Sequence, residues 1–191
     1  YPYDLYYDQI IPAGELLSTL ILSAYLEDQG FKNKWLDARR LIITDDTYRA
    51  ARVDWSLSSQ RIARAVEADI CITQGFIGSN GTYSTSLGRE GSDFTAAIFA
   101  NVLDAEEVVV WKDVPGYLNA DPKYFKDTVK LDKLSYAECI ELAFYGAKII
   151  HPKTIRPLEN KRIPLIVKSF LDPASEGSHI HSDQSADSLV P

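Results

Sequence analysis

Apolar residues recur at helical spacing from Gly14 to Gln29 (GELLSTLILSAYLEDQ), with Leu16, Leu17, Leu20, Ile21 and Ala24 one turn apart and Gly30 placed to end the helix. Trp35 to Asp37 and Leu41 to Thr44 are short β-like runs. Asp54 or Ser56 can cap a second helix that turns Ile62, Ala65 and Val66 inward and ends near Ala68. Asp69 to Thr73 is a short strand that feeds QGFIGSNG and then a Ser- and Thr-rich stretch. A third helix runs from Asp93 to about Leu103, and Glu107 to Trp111 (EVVVW) has the continuous β-branched pattern of a strand covered on both faces. The segment Asp113 to Pro122 (DVPGYLNADP) carries two prolines and a Pro-Gly turn, which predicts an ordered loop. Ser135 with Glu138 forms a capping box opening a helix to Tyr145. A further helix spans Pro152 to Asn160, and a strand spans Pro164 to Ser169. Strands alternating with helices predict an α/β domain with a mainly parallel sheet.

From Asp172 onward the chain turns to Ser, Asp, Gly and His, which reads as a polar linker or tail over 172–191. The chain has 191 residues, a length that suits one domain with a sizeable core. Composition changes the picture in two ways. No uninterrupted apolar run approaches the roughly 20 residues of a membrane helix, so no membrane partner is expected. The formal charge of -7 argues against a general nucleic-acid surface, so any phosphate must be held locally. Cys71 and Cys139 match no metal or redox spacing and read as reduced, buried thiols of a cytoplasmic protein. The start YPYDLYYDQII has no signal-peptide pattern. With no methionine anywhere, the chain reads as a processed product or a piece of a longer protein.

The most chemical stretch is SLGREGSDFTAA, residues 86 to 97. Gly88 and Gly91 allow backbone conformations that a Cβ forbids and a close approach of main-chain N–H groups to a ligand. The spacing lacks the G-K-[ST] ending of a P-loop and the third glycine of a dinucleotide fingerprint. Arg89 supplies a planar fork for a carboxylate or phosphate, and Ser92 is placed to cap a helix whose positive end points the same way. These residues favour an anion without naming it, and Ser92 and Asp93 are equally explained as an ordinary helix start.

Taken in order and spacing, ITQGFIGS (72–79), TSLGREGSDFTAA (85–97), VWKDVPGYLNADP (110–122) and FYGAKIIHP (144–152) closely resemble the catalytic domain of aspartate kinases, and GELLSTL resembles the same family's glycine-glutamate helix. The resemblance extends over residues 1–171, a partial catalytic domain of the amino-acid kinase superfamily. It implies a three-layer αβα sandwich around a mainly parallel sheet. It also implies transfer of the ATP γ-phosphoryl group to the side-chain carboxylate of L-aspartate, giving 4-phospho-L-aspartate, the first step toward lysine, threonine and methionine.

The same resemblance implies site roles. Arg89 would hold an aspartate carboxylate, Glu15 the substrate ammonium, and Phe76 would form an aromatic wall, with Ser92 and Asp93 lining the site. Lys112, Asp113, Lys123 and Lys148 match positions that contact ATP, and Lys148 and Asp93 are the residues closest to the chemistry. Mg²⁺ would be held by the nucleotide phosphates and water, with no protein metal cage, His179 and His181 included. L-Aspartate and ATP are the implied partners, and a homo-oligomer is compatible with the reading. Departures fall on the nucleotide side: Lys112 where many members have Thr, Leu118 where they have Tyr, Lys123 where they have Arg. The family's K-F-G-G-T-S phosphate segment is absent from the chain, which leaves the amino-terminal part of the sheet missing and an exposed edge expected. Another amino-acid kinase, such as a glutamate 5-kinase, or a non-catalytic binding module remain the alternatives.

Overall fold

A computed structural model describes residues 2–120, 125–145 and 149–182. They divide into two compact units, residues 1–96 and 97–191, with the boundary inside one helix.

The first unit opens with helices α1 (Pro2–Ile10) and α2 (Pro12–Asp28). Strand β1 (Lys34–Leu36), a 3₁₀ turn at Ala38–Arg40 and helix α3 (Trp55–Ala65) follow. Then come β2 (Cys71–Thr73), β3 (Ile77–Ser79), β4 (Ser84–Ser86) and the start of α4 (Gly91–Leu103). β1 and β2 pair in parallel, and β3 and β4 form an antiparallel pair. Ile42, Ile62, Ile77 and Leu87 are fully buried here. α3 is capped by Asp54, whose carboxylate accepts from Leu57 N–H at 2.9 Å, one of the two residues expected. Of the run Leu41 to Thr44, read as a strand, only isolated bridges form, Ile43 with Ser79 and Thr44 with Val53.

α2 begins two residues before and ends one residue before the expected bounds, and Gly30 takes a left-handed φ of 87° just beyond it. The apolar positions that predict it are not the ones it buries. Leu17 and Ile21 are each 61% exposed, whereas Pro12 and Ser23 are buried. The run α1–α2, Tyr3–Asp28, is long and apolar enough to cross a membrane by length and composition alone. Four of its polar side chains, however, bond within the unit. Asp8 bonds Ser86, Gln9 bonds Ser84, Ser23 bonds Asn33, and Thr19 is held from two sides, which is the behaviour of a packed surface helix.

The second unit continues α4 into β5 (Val108–Lys112), the hairpin β6 (Tyr117–Leu118) and β7 (Lys130–Leu131), then β8 (Lys133–Ser135), α5 (Tyr136–Phe144), α6 (Pro152–Lys161), β9 (Leu165–Ser169) and β10 (Ser178–His181). Its sheet has the order β5-β9-β10-β8, with β5–β9 and β8–β10 parallel and β9–β10 antiparallel. The predicted capping box is present: Ser135 N–H donates to the Glu138 carboxylate at 2.7 Å, and Glu138 N–H returns to Ser135 Oγ. β5 was expected to be covered on both faces. Val108 and Val110 are buried but Trp111 is 47% exposed, so the face that Val109 and Trp111 share is only partly covered.

The polar segment from Asp172 departs furthest from its composition. Ser178–His181 forms an inner strand of the sheet, and Ile180 is fully buried in the core. Ser178 is also fully buried. Its hydroxyl accepts from Tyr117 N–H at 2.8 Å and donates to Leu131 O at 2.6 Å, tying the loop after β5 to the strand. A polar turn precedes only four strand residues, so composition hid the pairing.

Cys139 is buried, and its thiol lies 2.7 Å from the Tyr117 hydroxyl. Burial pushes its pKa up to about 12 against the opposing pull of that contact, which makes it inert. Cys71 is half-buried at the start of β2. Alkylation of the native protein followed by peptide mapping should therefore label Cys71 and leave Cys139 intact until the chain is unfolded. Equal native labelling of both would contradict this packing.

Candidate active site

The strand β2 delivers Gln74, Gly75 and Phe76 at its carboxyl end, where α/β folds place ligand-binding loops. Gln74 is fully buried and organises the junction. Its carbonyl oxygen accepts from Ala38 N–H at 2.8 Å, and its amide donates to Thr19 Oγ1 at 2.8 Å. Thr19 Oγ1 also accepts from Trp35 Nε1 at 3.1 Å and donates to the Glu15 carbonyl at 2.9 Å, so its hydrogen-bonding capacity is filled. This network holds the first turn of α2, and with it Glu15, against the end of β2. The Glu15 side chain is half-buried, and its carboxylate makes no hydrogen bond or ion pair with the described residues.

Phe76 has a left-handed φ of 71°, a conformation that costs a non-glycine residue about 1–3 kcal/mol. Three contacts impose it. Phe76 N–H donates to the buried Thr95 Oγ1 at 3.0 Å, Phe76 O accepts from Leu87 N–H at 2.8 Å, and the ring lies over Gly91. Two glycines bring the two loops this close. A Cβ on Gly75 would stand 2.8 Å from Ser92 Cα, and a Cβ on Gly91 would stand 2.7 Å from Phe76 Cδ2. The sequence suggests ligand approach as the role of Gly91. The structure shows instead that Gly91 is the first residue of α4, and its missing side chain makes room for Phe76.

Ser92 does not cap the helix as expected. α4 already begins at Gly91, so Ser92 lies inside the first turn with its side chain exposed and without a hydrogen bond among the described residues. Asp93 stands in the same turn, half-buried. Before them, Gly88 (φ 79°) and Glu90 (φ 52°) twist the chain so that Arg89 is exposed, its guanidinium without an ion pair among the described residues. Phe76, Arg89, Ser92 and Asp93 are thus carried by two interlocked loops, and Glu15 by a helix bonded to the strand that feeds one of them.

In the second unit, Lys112 closes β5 and Asp113 follows it, again at the carboxyl end of a strand with a parallel neighbour. Lys112 is half-buried, with its carbonyl accepting from Phe170 N–H at 3.0 Å, while Asp113 is exposed. Lys123 and Lys148 lie outside the described residues. In α6, His151 caps the helix by accepting from Lys153 N–H at 3.1 Å, and burial holds the Lys153 ammonium below its ordinary pKa. Among the described residues no three His, Cys, Asp or Glu side chains group as metal ligands. Sequence reasoning missed Asp8, Thr19, Gln74 and Thr95, whose signals are single polar letters in apolar surroundings.

Residues 4–169 match the family model described as the amino acid kinase family. The chain is 37% identical over 176 residues to lysine-sensitive aspartokinase 3 of Escherichia coli, covering 90% of this chain and 39% of that protein. It is 35% identical over 190 residues to the aspartokinase of Chlamydia pneumoniae, covering 98% of this chain and 43% of that protein. The crystal structure of E. coli aspartokinase III in complex with aspartate and ADP superposes with a TM-score of 0.87 at 36% identity, over 92% of this chain and 40% of that one. The chain therefore spans about two fifths of the length of the relatives it matches. With the family model covering residues 4–169, most of its length, this chain belongs to the amino acid kinase family.

Proposed function

We propose that this chain is part of an aspartate kinase, which transfers the γ-phosphoryl group of MgATP to the side-chain carboxylate of L-aspartate. A carboxylate oxygen forms the new O–P bond as the bond to the β-phosphate oxygen breaks, and ADP leaves; the acceptor carries no proton to remove at neutral pH. Catalysis then consists of alignment and charge neutralisation. The observation that carries the reading is that Arg89 and Glu15 present uncommitted opposite charges on backbone that buried hydrogen bonds hold in place. Aspartate offers complementary groups, two carboxylates and an ammonium. In this reading Arg89 takes a carboxylate, Glu15 the ammonium, Phe76 walls the pocket, and Ser92 and Asp93 line it. The similarity to aspartokinases in sequence and structure supports this assignment.

Lys112, Asp113, Lys123 and Lys148 are assigned to the nucleotide, Lys148 to the transferring phosphate, with Mg²⁺ bound by the phosphates. The catalytic domain runs past residue 171 to include β10, and the enzyme works in the cytoplasm at the first step toward lysine, threonine and methionine. ADP release by the full-length protein with MgATP and a panel of aspartate, glutamate, acetylglutamate and carbamate tests the reading. Turnover is expected with aspartate; turnover with another acceptor and none with aspartate overturns it.

A further inference from the structure

Among the described residues of the first unit one carboxylate-bearing residue is completely buried, Asp8 in the last turn of α1, and the reaction outlined above gives it no part. Its Oδ2 accepts from Ser86 N–H at 2.8 Å and from Arg49 N–H at 2.9 Å, and its Oδ1 accepts from Ser86 Oγ at 2.7 Å. Every bond it makes thus goes to one of two backbone segments. One is the end of β4, three residues before Arg89. The other is the turn at residues 48–51 beside it, where Ala51 N–H donates to Ser86 O at 2.9 Å and the Arg49 carbonyl lies under Gly88.

The neighbouring residue repeats the grip. Gln9 Oε1 accepts from Ser84 N–H at 3.0 Å, and Gln9 Nε2 donates to Ser84 O at 2.9 Å, the pairing pattern of an added strand residue. Arg49 itself has a left-handed φ of 65°, and its guanidinium sits 4.8 Å above the Tyr7 ring and 3.3 Å from Asp4, on the same helix. α1 thus clamps both segments that lead into the Arg89 loop. α2 follows α1 after a single residue and carries Glu15. A solitary charge buried on neutral donors is costly where a fold needs only a hairpin held, because the carboxylate gives up its hydration for them. A rigid register for the loop is what these bonds provide.

We propose that Asp8 is a positioning residue for the acceptor site: it sets the backbone from Ser86 to Gly91, and through it the aim of Arg89. The inference rests on the assignment of Arg89 to the acceptor. In the full-length enzyme, Asp8→Ala is expected to raise the KM for aspartate roughly tenfold or more, with the KM for ATP changed less than about twofold, because the lost bonds all lie on the acceptor side. Asp8→Asn can keep both backbone N–H bonds on its carbonyl oxygen and donate to Ser86 Oγ, so it should restore the KM to within about threefold of the parent. Amide exchange at residues 86–91 should quicken in Asp8→Ala and not in Asp8→Asn.

If Asp8→Ala does not fold, Ser86→Ala, which removes only the hydroxyl contact, replaces it and must show the same selective rise in smaller measure. Equal rises in both KM values, or an unchanged aspartate KM in a folded variant, overturns the proposal. If the parent enzyme has no activity on aspartate the assignment of the acceptor fails instead, and the exchange rates at residues 86–91 still decide whether Asp8 holds the loop.

Discussion

Gly75→Ala should nearly abolish activity while leaving a folded protein. The added methyl would stand 2.8 Å from Ser92 Cα and 2.8 Å from Ser92 Cβ, well inside contact distance, and the first of these is backbone at the start of α4. Relief requires the QGF loop and the α4 start to move apart. That motion displaces Phe76, whose left-handed backbone is held by Thr95 and Leu87 from the same two loops. Overpacking of this kind costs about 1–3 kcal/mol of stability, and a displacement near 1 Å at a phosphoryl-transfer site costs roughly 100-fold in rate. Gly91→Ala should be milder, because its nearest clash is with a ring edge that can tilt. Thermal denaturation and steady-state kinetics on the full-length enzyme check both. A Gly75→Ala enzyme with parent kinetics and an unchanged Tm would mean that the loops are not interlocked.

Arg89→Ala should raise the KM for aspartate by roughly 30- to 1,000-fold and leave that for ATP within about twofold. Removing one side of a desolvated, charge-assisted pair costs about 2–4 kcal/mol, and each 1.4 kcal/mol is tenfold in affinity. The split matters more than the size. Arg89 is exposed, with no partner among the described residues, so its removal should cost the fold little and the acceptor much. Arg89→Lys should recover only part of the loss, since a point charge keeps the attraction but not the two-pronged geometry. A rise in the KM for ATP with that for aspartate unchanged would move Arg89 from the acceptor to the nucleotide, and equal rises in both would remove it from the acceptor site.

The residues of the candidate site were legible in the sequence to the extent that they sit in short motifs. Arg89 between two glycines, the QGF turn after a strand, and Glu15 in the first turn of an apolar helix are each a short word. The structure places each at the end of a strand, in a twisted loop or at a helix start. The supporting groups were not legible. Thr19, Gln74 and Thr95 read as ordinary polar residues, and only the fold reveals that Thr19 collects bonds from Trp35 and Gln74, residues 16 and 55 positions away. Asp8 lies 78 positions from its partner Ser86.

The sequence by itself determined a set of local elements: the α2 helix within two residues at each end with its terminating glycine, the Ser135–Glu138 capping box, a cap at Asp54 or Ser56 that the structure gives to Asp54, and the strands β5 and β9 within a residue or two. Caps, glycine stops and β-branched runs act over a few residues, so their physics is written in consecutive letters. Only the tertiary structure decided which face of α2 is buried, that Gly91 yields space to Phe76 rather than to a ligand, and that Ser178–His181 enters the sheet. Each of these depends on what packs alongside, and hydrogen bonds and excluded volume between segments far apart in the chain leave no periodic trace in it.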